Sequence, residues 1–134
     1  MSAIDRDGVA INYDVRGDGD GTAVLLSHGY GATSRMFEST VAALSTSRRC
    51  LTWDVRGHGR SDYPNDPGQY SIDLTVGDMV AILDTEGVDR AVLLGHSMGG
   101  YLSLELKRTH PERCLLYTSP SPRDLSTSRM PSSA

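Results

Sequence analysis

Cysteine is scarce in this sequence: there are two in 134 residues, Cys50 and Cys114. They share no spacing motif, so no disulfide framework is indicated. Cys50 falls in an apolar run, where a free thiol behaves as a small hydrophobe. Positive charge is also short. The formal net charge is −4 and there is no basic block, which points away from nucleic acid and from anionic membrane surfaces. No apolar run approaches membrane-spanning length. The first eight residues, Met1 to Gly8, hold no apolar segment of signal-peptide length. A soluble, cytoplasmic protein is the expectation.

What the sequence does have is one sharply punctuated stretch. The apolar run Ala91-Val92-Leu93-Leu94 leads into Gly95-His96-Ser97-Met98-Gly99-Gly100. A helical pattern follows from Tyr101 to Thr109, with no proline until Pro111. This reads as strand, tight turn and helix, with Ser97 at the apex. The turn demands very small neighbours, hence Gly95 and Gly99. A strained backbone there would lift the Ser97 hydroxyl clear of the sheet, just in front of the new helix's N-terminal amides. A second element lies upstream: Thr22 to Ser27 reads as a strand that ends in His28-Gly29-Tyr30-Gly31.

From about Gly8 to Arg113 these motifs resemble the α/β-hydrolase family. The segment Asp54-Val55-Arg56-Gly57-His58-Gly59-Arg60-Ser61 is similar to the family's Asp-x-Arg-Gly-x-Gly-x-Ser segment after a sheet strand. The resemblance implies that Ser97 is a nucleophile and that the backbone N–H groups of Tyr30 and Met98 form an oxyanion hole. It implies an ester, lactone or related small acyl substrate, attacked through an acyl-enzyme, with no metal or organic cofactor. Ser rather than Asp at residue 97 argues against the haloalkane dehalogenase and epoxide hydrolase branches, which use a carboxylate. Tyr30 and Met98 would line the pocket beside an apolar part of the substrate. The other reading of the same fold is a non-catalytic protein whose serine pocket only captures a ligand.

The rest of the chain gives the fold class. Gly8 to Arg16 alternates, with Val9, Ile11, Tyr13 and Val15 on one face, and predicts a half-buried antiparallel strand. Ala23 to Leu26 is apolar on both faces, as a central strand should be. Ser34 to Leu44 predicts a helix with Phe37, Val41 and Leu44 inward. Cys50 to Asp54 is the next strand, and Tyr63 to Tyr70 a loop. Ser71 is placed to cap a helix striped by Ile72, Val76, Met79, Val80 and Leu83 and stopped at Gly87. The alternation predicts a three-layer α/β, mostly parallel sheet with an antiparallel lead strand. Asp54 and Arg56 read as structural, His58 and Asp62 as loop hydrogen-bonding residues.

Two things are missing. A serine hydroxyl needs a base, usually His, and an acid to orient it. By the resemblance, both come after the nucleophile in the chain, so the triad acid and base are expected to be absent here. His28 looks like the oxyanion-loop His, whose role is structural. His96 would leave the turn in another direction. His110 lies about three and a half turns along the helix from Ser97, at roughly 1.5 Å per residue, too far to act as base. The length is also short for this fold, which commonly takes ~200–250 residues.

The composition changes at Cys114. Residues 114–134 are rich in Ser and Pro without periodicity and read as a disordered tail. Cys114 to Asp124 can be back-translated into a string that resembles the transposase-end adapter of short-read DNA libraries. Ser128 to Ala134 likewise resembles the flow-cell primer that follows it, and Leu125 to Thr127 covers an index-sized gap. The expected boundaries are therefore 1–113 for the N-terminal part of the domain and 114–134 for a non-native tail.

Overall fold

A computed structural model describes residues 2–18 and 21–119. Among them six strands form one sheet: β1 (Ser2–Arg6), β2 (Val9–Arg16), β3 (Val24–Ser27), β4 (Cys50–Trp53), β5 (Ala91–Gly95) and β6 (Cys114–Thr118). Their spatial order is β1-β2-β4-β3-β5-β6. β4, β3, β5 and β6 run parallel, while β2 is antiparallel to both of its neighbours, β1 and β4. Three helices cover the sheet: α1 (Glu38–Leu44), α2 (Ile72–Thr85) and α3 (Met98–Thr109).

Strand alternation splits the core in two. Leu25, Leu51, Trp53, Ala91 and Leu93 face α2 and α3, whose Met79, Ile82, Leu83, Leu102 and Leu106 pack on them. Val24, Leu26 and Cys50 point the other way, onto Phe37 and Val41 at α1. That is the three-layer α/β arrangement. β3 lies between β4 and β5 and is buried along its whole length, so its residues are apolar in succession rather than alternately.

Local signals account for most element ends. Ser71 Oγ accepts the Leu74 amide at 3.1 Å and caps α2. Gly87, at φ +68, reverses the chain after it, and Val88 N–H returns to the Leu83 carbonyl at 2.8 Å. The helix predicted over 34–44 is divided: Ser34–Phe37 winds as a 3-10 turn before α1. The Asp54 carboxylate takes the Ser34 amide and Thr33 caps Arg35, which tightens that first turn. Ile72, placed on the buried stripe of α2, is 37% exposed at the helix start.

Two strands go beyond the sequence reading. β1 is mostly polar and exposed and is held by register with β2 rather than by burial. The ordered chain also continues past Arg113. Residues 114–118, assigned to a disordered tail, pair in parallel with β5 as β6, and Cys114 turns into the α2–α3 core. The run Cys-Leu-Leu-Tyr-Thr is apolar and suited to a strand, and an open sheet edge accepts such a run by backbone pairing whatever its origin. The remainder of that tail, 120–134, lies outside the described residues. Both cysteines are free and buried.

Candidate active site

The turn between β5 and α3 is as tight as its glycines require. Ser97 sits at φ 55, ψ −116, a strained, left-handed backbone for a residue with a side chain. A Cβ on Gly95 would overlap the Gly99 carbonyl group, and one on Gly99 would overlap the Ser27 carbonyl. His96 N–H donates to that same Ser27 carbonyl at 3.0 Å, and Tyr101 N–H starts the helix on the Ser97 carbonyl at 3.1 Å. Ser27 is in turn anchored through its hydroxyl, which accepts Trp53 Nε1–H at 2.8 Å inside the core. Ser97 is therefore exposed at the tip of a rigid support and at the positive end of α3. Its hydroxyl makes no hydrogen bond with the described residues.

The loop after β3 runs past this turn. A Cβ on Gly29 would lie 3.2 Å from the Ser97 Cβ and 3.2 Å from His96 Nδ1, so the loop backbone touches the serine. Ala32 N–H closes on the Gly29 carbonyl at 3.0 Å, with Gly31 at φ +78. That makes Gly29 to Ala32 a type II turn, with Tyr30 and Gly31 at its corners. The Tyr30 and Met98 amides, the two oxyanion donors implied by the sequence, have no acceptor among the described residues.

Their side chains do less than the sequence suggests. Tyr30 is 84% exposed, and Met98 packs partly against the α2–α3 core. Neither side chain lines the two grooves on the β2–β4 side of the sheet. A groove of about 400 Å³ opens between Asn12, Ser34, Asp54 and Arg60, but neither it nor a neighbouring one of about 150 Å³ includes Ser97.

The histidines are accounted for. His28 is fully buried. Its Nε2 accepts Val55 N–H at 3.0 Å, which leaves the proton on Nδ1, 2.8 Å from the Gly29 carbonyl. Burial pushes the His28 pKa below its ordinary value, and repulsion from His58 adds to this; the Gly29 hydrogen bond and the Asp54 charge oppose it. A neutral ring with both nitrogens engaged is no general base. His58 Nε2 accepts Gly31 N–H at 3.0 Å, and its Nδ1 lies 3.2 Å from the Arg56 carbonyl. His96 Nδ1 is buried without a hydrogen-bond partner among the described residues. His110 Nδ1 pairs with Thr109 Oγ1 at 2.9 Å, at the far end of α3.

The Asp54–Ser61 segment is a scaffold. Asp54 accepts the Ser34 amide at 2.8 Å and the Arg60 amide at 3.1 Å, and Gly59 approaches the carboxylate so closely that a Cβ would collide with it. Arg56 is buried and bidentate to Asp78, at 2.8 Å through both Nε and Nη2. Asp62 receives the Ala10 amide at 2.8 Å. Asp78 is the residue that sequence reasoning misses. Its signal is an acid on the buried face of α2, three residues after Thr75 and four before Ile82. Among the described residues no three His, Cys, Asp or Glu side chains group as a metal site would need, and no helix is long and apolar enough to cross a membrane.

This geometry has many counterparts. The family model for the alpha/beta hydrolase fold matches residues 22–133. RutD of Variovorax paradoxus, provisionally named a carbamate hydrolase, is 38% identical over 104 residues, which are 77% of this chain and 39% of that protein. The 3-oxoadipate enol-lactonase 2 of Acinetobacter baylyi is 34% identical over 105 residues, 78% of this chain and 39% of the relative. Among solved structures, the enol-lactonase from Burkholderia xenovorans superposes with a TM-score of 0.78 at 34% identity, covering 84% of this chain and 44% of the other. A Vigna radiata epoxide hydrolase mutant gives 0.83 at 28% identity, covering 88% and 37%. The chain thus spans about two-fifths of the length of these relatives. With the strand–serine–helix turn, the adjoining glycine loop and the family match in agreement, this chain belongs to the alpha/beta hydrolase fold family.

Proposed function

We propose that this chain is the N-terminal part of a serine hydrolase that cleaves an ester, lactone or related acyl bond through an acyl-enzyme. The observation that carries this reading is the backbone of Ser97, held at positive φ with an exposed hydroxyl at the head of α3. Strain of that kind costs of order 1–3 kcal/mol and is poorly explained by a serine that only links strand to helix. In the proposed reaction the Ser97 oxygen attacks the carbonyl carbon. The oxyanion is received by the Tyr30 and Met98 amides, and one such donor is commonly worth ~3–4 kcal/mol of barrier. Water then releases the acyl group. The base that takes the hydroxyl proton and the acid that orients it would come from residues after this chain. Relatives named for lactone and carbamate hydrolysis support an acyl substrate, and a hydroxyl at residue 97 fits that chemistry. By the same reading the sequence from Cys114 onward is translated adapter, and the 134-residue chain alone is inactive.

Two experiments test this. Re-sequencing the source DNA across the codons for Arg113 and Cys114 should give a frame that continues through a further apolar strand to an Asp or Glu and then a His. Genomic codons for 114–134 followed by a stop would refute the adapter reading and leave a half-domain that captures a ligand without turning it over. The completed enzyme should hydrolyse p-nitrophenyl acetate and lose that activity in Ser97→Ala. The 134-residue chain should show no turnover above its own Ser97→Ala control.

A further inference from the structure

We propose that His58 is an acid-sensitive latch: its neutral ring holds the loop after β3 to the segment after β4, and a proton on Nε2 releases it. The latch works whether or not Ser97 is a nucleophile.

The holding contact runs from Gly31 N–H to His58 Nε2, at 3.0 Å and at the surface of the molecule. The other ring nitrogen, Nδ1, lies 3.2 Å from the Arg56 carbonyl. An amide N–H only donates and a carbonyl only accepts. The ring therefore carries its one proton on Nδ1 and a lone pair on Nε2. A second proton can go only to Nε2, where it turns the acceptor into a donor that faces another donor. The bond to Gly31 does not survive that change. No carboxylate bonds the ring among the described residues, so no ion pair replaces the lost contact.

Packing does not fix the peptide that is let go. Gly29 to Ala32 is a type II turn, and rotating the Tyr30–Gly31 peptide converts it to type I. Gly31 accepts either sign of φ at little cost, a Cβ there would meet nothing within 4 Å, and Tyr30 is 84% exposed. The other end of the turn stays held. The Gly29 carbonyl accepts the Ala32 amide and lies 2.8 Å from His28 Nδ1, while His28 Nε2 accepts Val55 N–H. Burial, with repulsion from His58 added, keeps the His28 pKa below its ordinary value. A charge on His58 strengthens that repulsion, so His28 keeps its grip while His58 gives way.

The surrounding titratable groups are otherwise engaged. From the loop after β3, His28 lies 5.1 Å from the His58 ring and Tyr30 lies 5.6 Å away, edge-on. From the β5–α3 turn, His96 lies beside Gly29. On the segment of His58 itself, Asp54 takes the Ser34 and Arg60 amides, Arg56 is clamped to Asp78, and Asp62 takes the Ala10 amide. A Cβ on Gly29 would fall 3.2 Å from that of Ser97, so the released turn is one that borders the serine. Acid thus loosens one side of the site while the sheet stays folded.

The test titrates the 134-residue chain from pH 8 to pH 5.5, within the range where histidine side chains change charge. NMR follows the His58 ring and the Gly31 amide. The Gly31 protection factor should fall about tenfold, as loss of one hydrogen bond predicts. Its midpoint should match that of the His58 ring, with Trp53 emission still that of the folded chain. In His58→Gln, which has no proton to gain in this range, the pH dependence of Gly31 should vanish. Four results would each overturn the latch: a Gly31 amide that stays protected while the ring titrates, a ring that does not titrate in the folded chain, the same pH response in His58→Gln, or loss of the folded Trp53 signal together with Gly31 protection.

Discussion

The Asp78 carboxylate offers the sharpest test of what holds this half-sheet in shape. It is fully buried and accepts three charge-assisted hydrogen bonds: two from Arg56 at 2.8 Å, and one from Arg6 at 2.9 Å. The Arg56 side chain is 1% exposed, whereas that of Arg6 is 30% exposed. Asp78→Asn keeps the size and removes the charge. Arg56 is then left as a buried cation anchored by the Gln69 carbonyl at 2.6 Å, the Gln69 Oε1 at 3.4 Å and the single amide oxygen of the new asparagine. Breaking a buried pair in this way costs about 3–5 kcal/mol, a large share of the ~5–15 kcal/mol that holds a domain together. Arg6→Ala removes a bond open to solvent and should cost about 1 kcal/mol or less. Replacing both partners, as Arg56→Met with Asp78→Leu, should be milder than Asp78→Asn because no charge is stranded. Urea unfolding followed by Trp53 emission reads all three, since Trp53 is the one tryptophan and is fully buried. If Asp78→Asn costs no more than Arg6→Ala, the network does not carry the load assigned to it.

Three further outcomes follow from particular contacts. Gly99→Ala forces a methyl into the Ser27 carbonyl, which is backbone and cannot give way; a loss of ~3 kcal/mol or more should appear as insoluble expression or a collapsed thermal transition, and a normal melt would show that the turn is looser than described. His28 is neutral when folded and has its pKa lowered mainly by burial, so the unfolded chain binds more protons just below the ordinary histidine value. Its contribution is complete above pH ~6.5 and falls by up to ~1.4 kcal/mol per pH unit as the pH drops towards the folded-state value; urea midpoints at pH 7.5 and 5.5 should show that loss, with a shallower slope in His28→Gln. Leu115 and Leu116 are 46% and 60% exposed on β6, which is paired only to β5 among the described residues, so Leu116→Lys should reduce self-association measured by light scattering, and an unchanged particle size would place the sticky surface elsewhere.

Much of the fold is legible because its signals are local and agree. The elbow is written in three glycines and a serine, α2 in its cap, stripe and stop, and β2 in its alternation. β1 is invisible for the opposite reason: Ser2 to Arg6 buries little, so no pattern marks it, and only the register with β2 makes it a strand. β6 fails differently. Its composition is strand-like, but a reading from the origin of the codons sets aside what the side chains would do next to an open edge. Backbone pairing depends on apolar, β-prone residues meeting unpaired N–H and C=O groups, and that condition is met at Cys114–Thr118.

The site is less legible than the fold, because its working parts are backbone groups and long-range partners. Ser97 is readable from its flanking glycines. The shape of the Gly29–Ala32 turn is not, because it depends on His28, which binds Gly29 on one side and Val55 on the other, and on His58, which lies 27 residues from the Gly31 amide it accepts. Asp78 likewise meets Arg56 across 22 residues. These contacts form two lines of support, one from Asp78 through Arg56 and His58 to Gly31, the other from Trp53 through Ser27 to His96 and Gly99, which flank Ser97. His28 and His58 have both ring nitrogens engaged with backbone, so neither could take a proton from Ser97 without giving up the contact it makes; under the serine-hydrolase reading proposed above, the base comes from elsewhere.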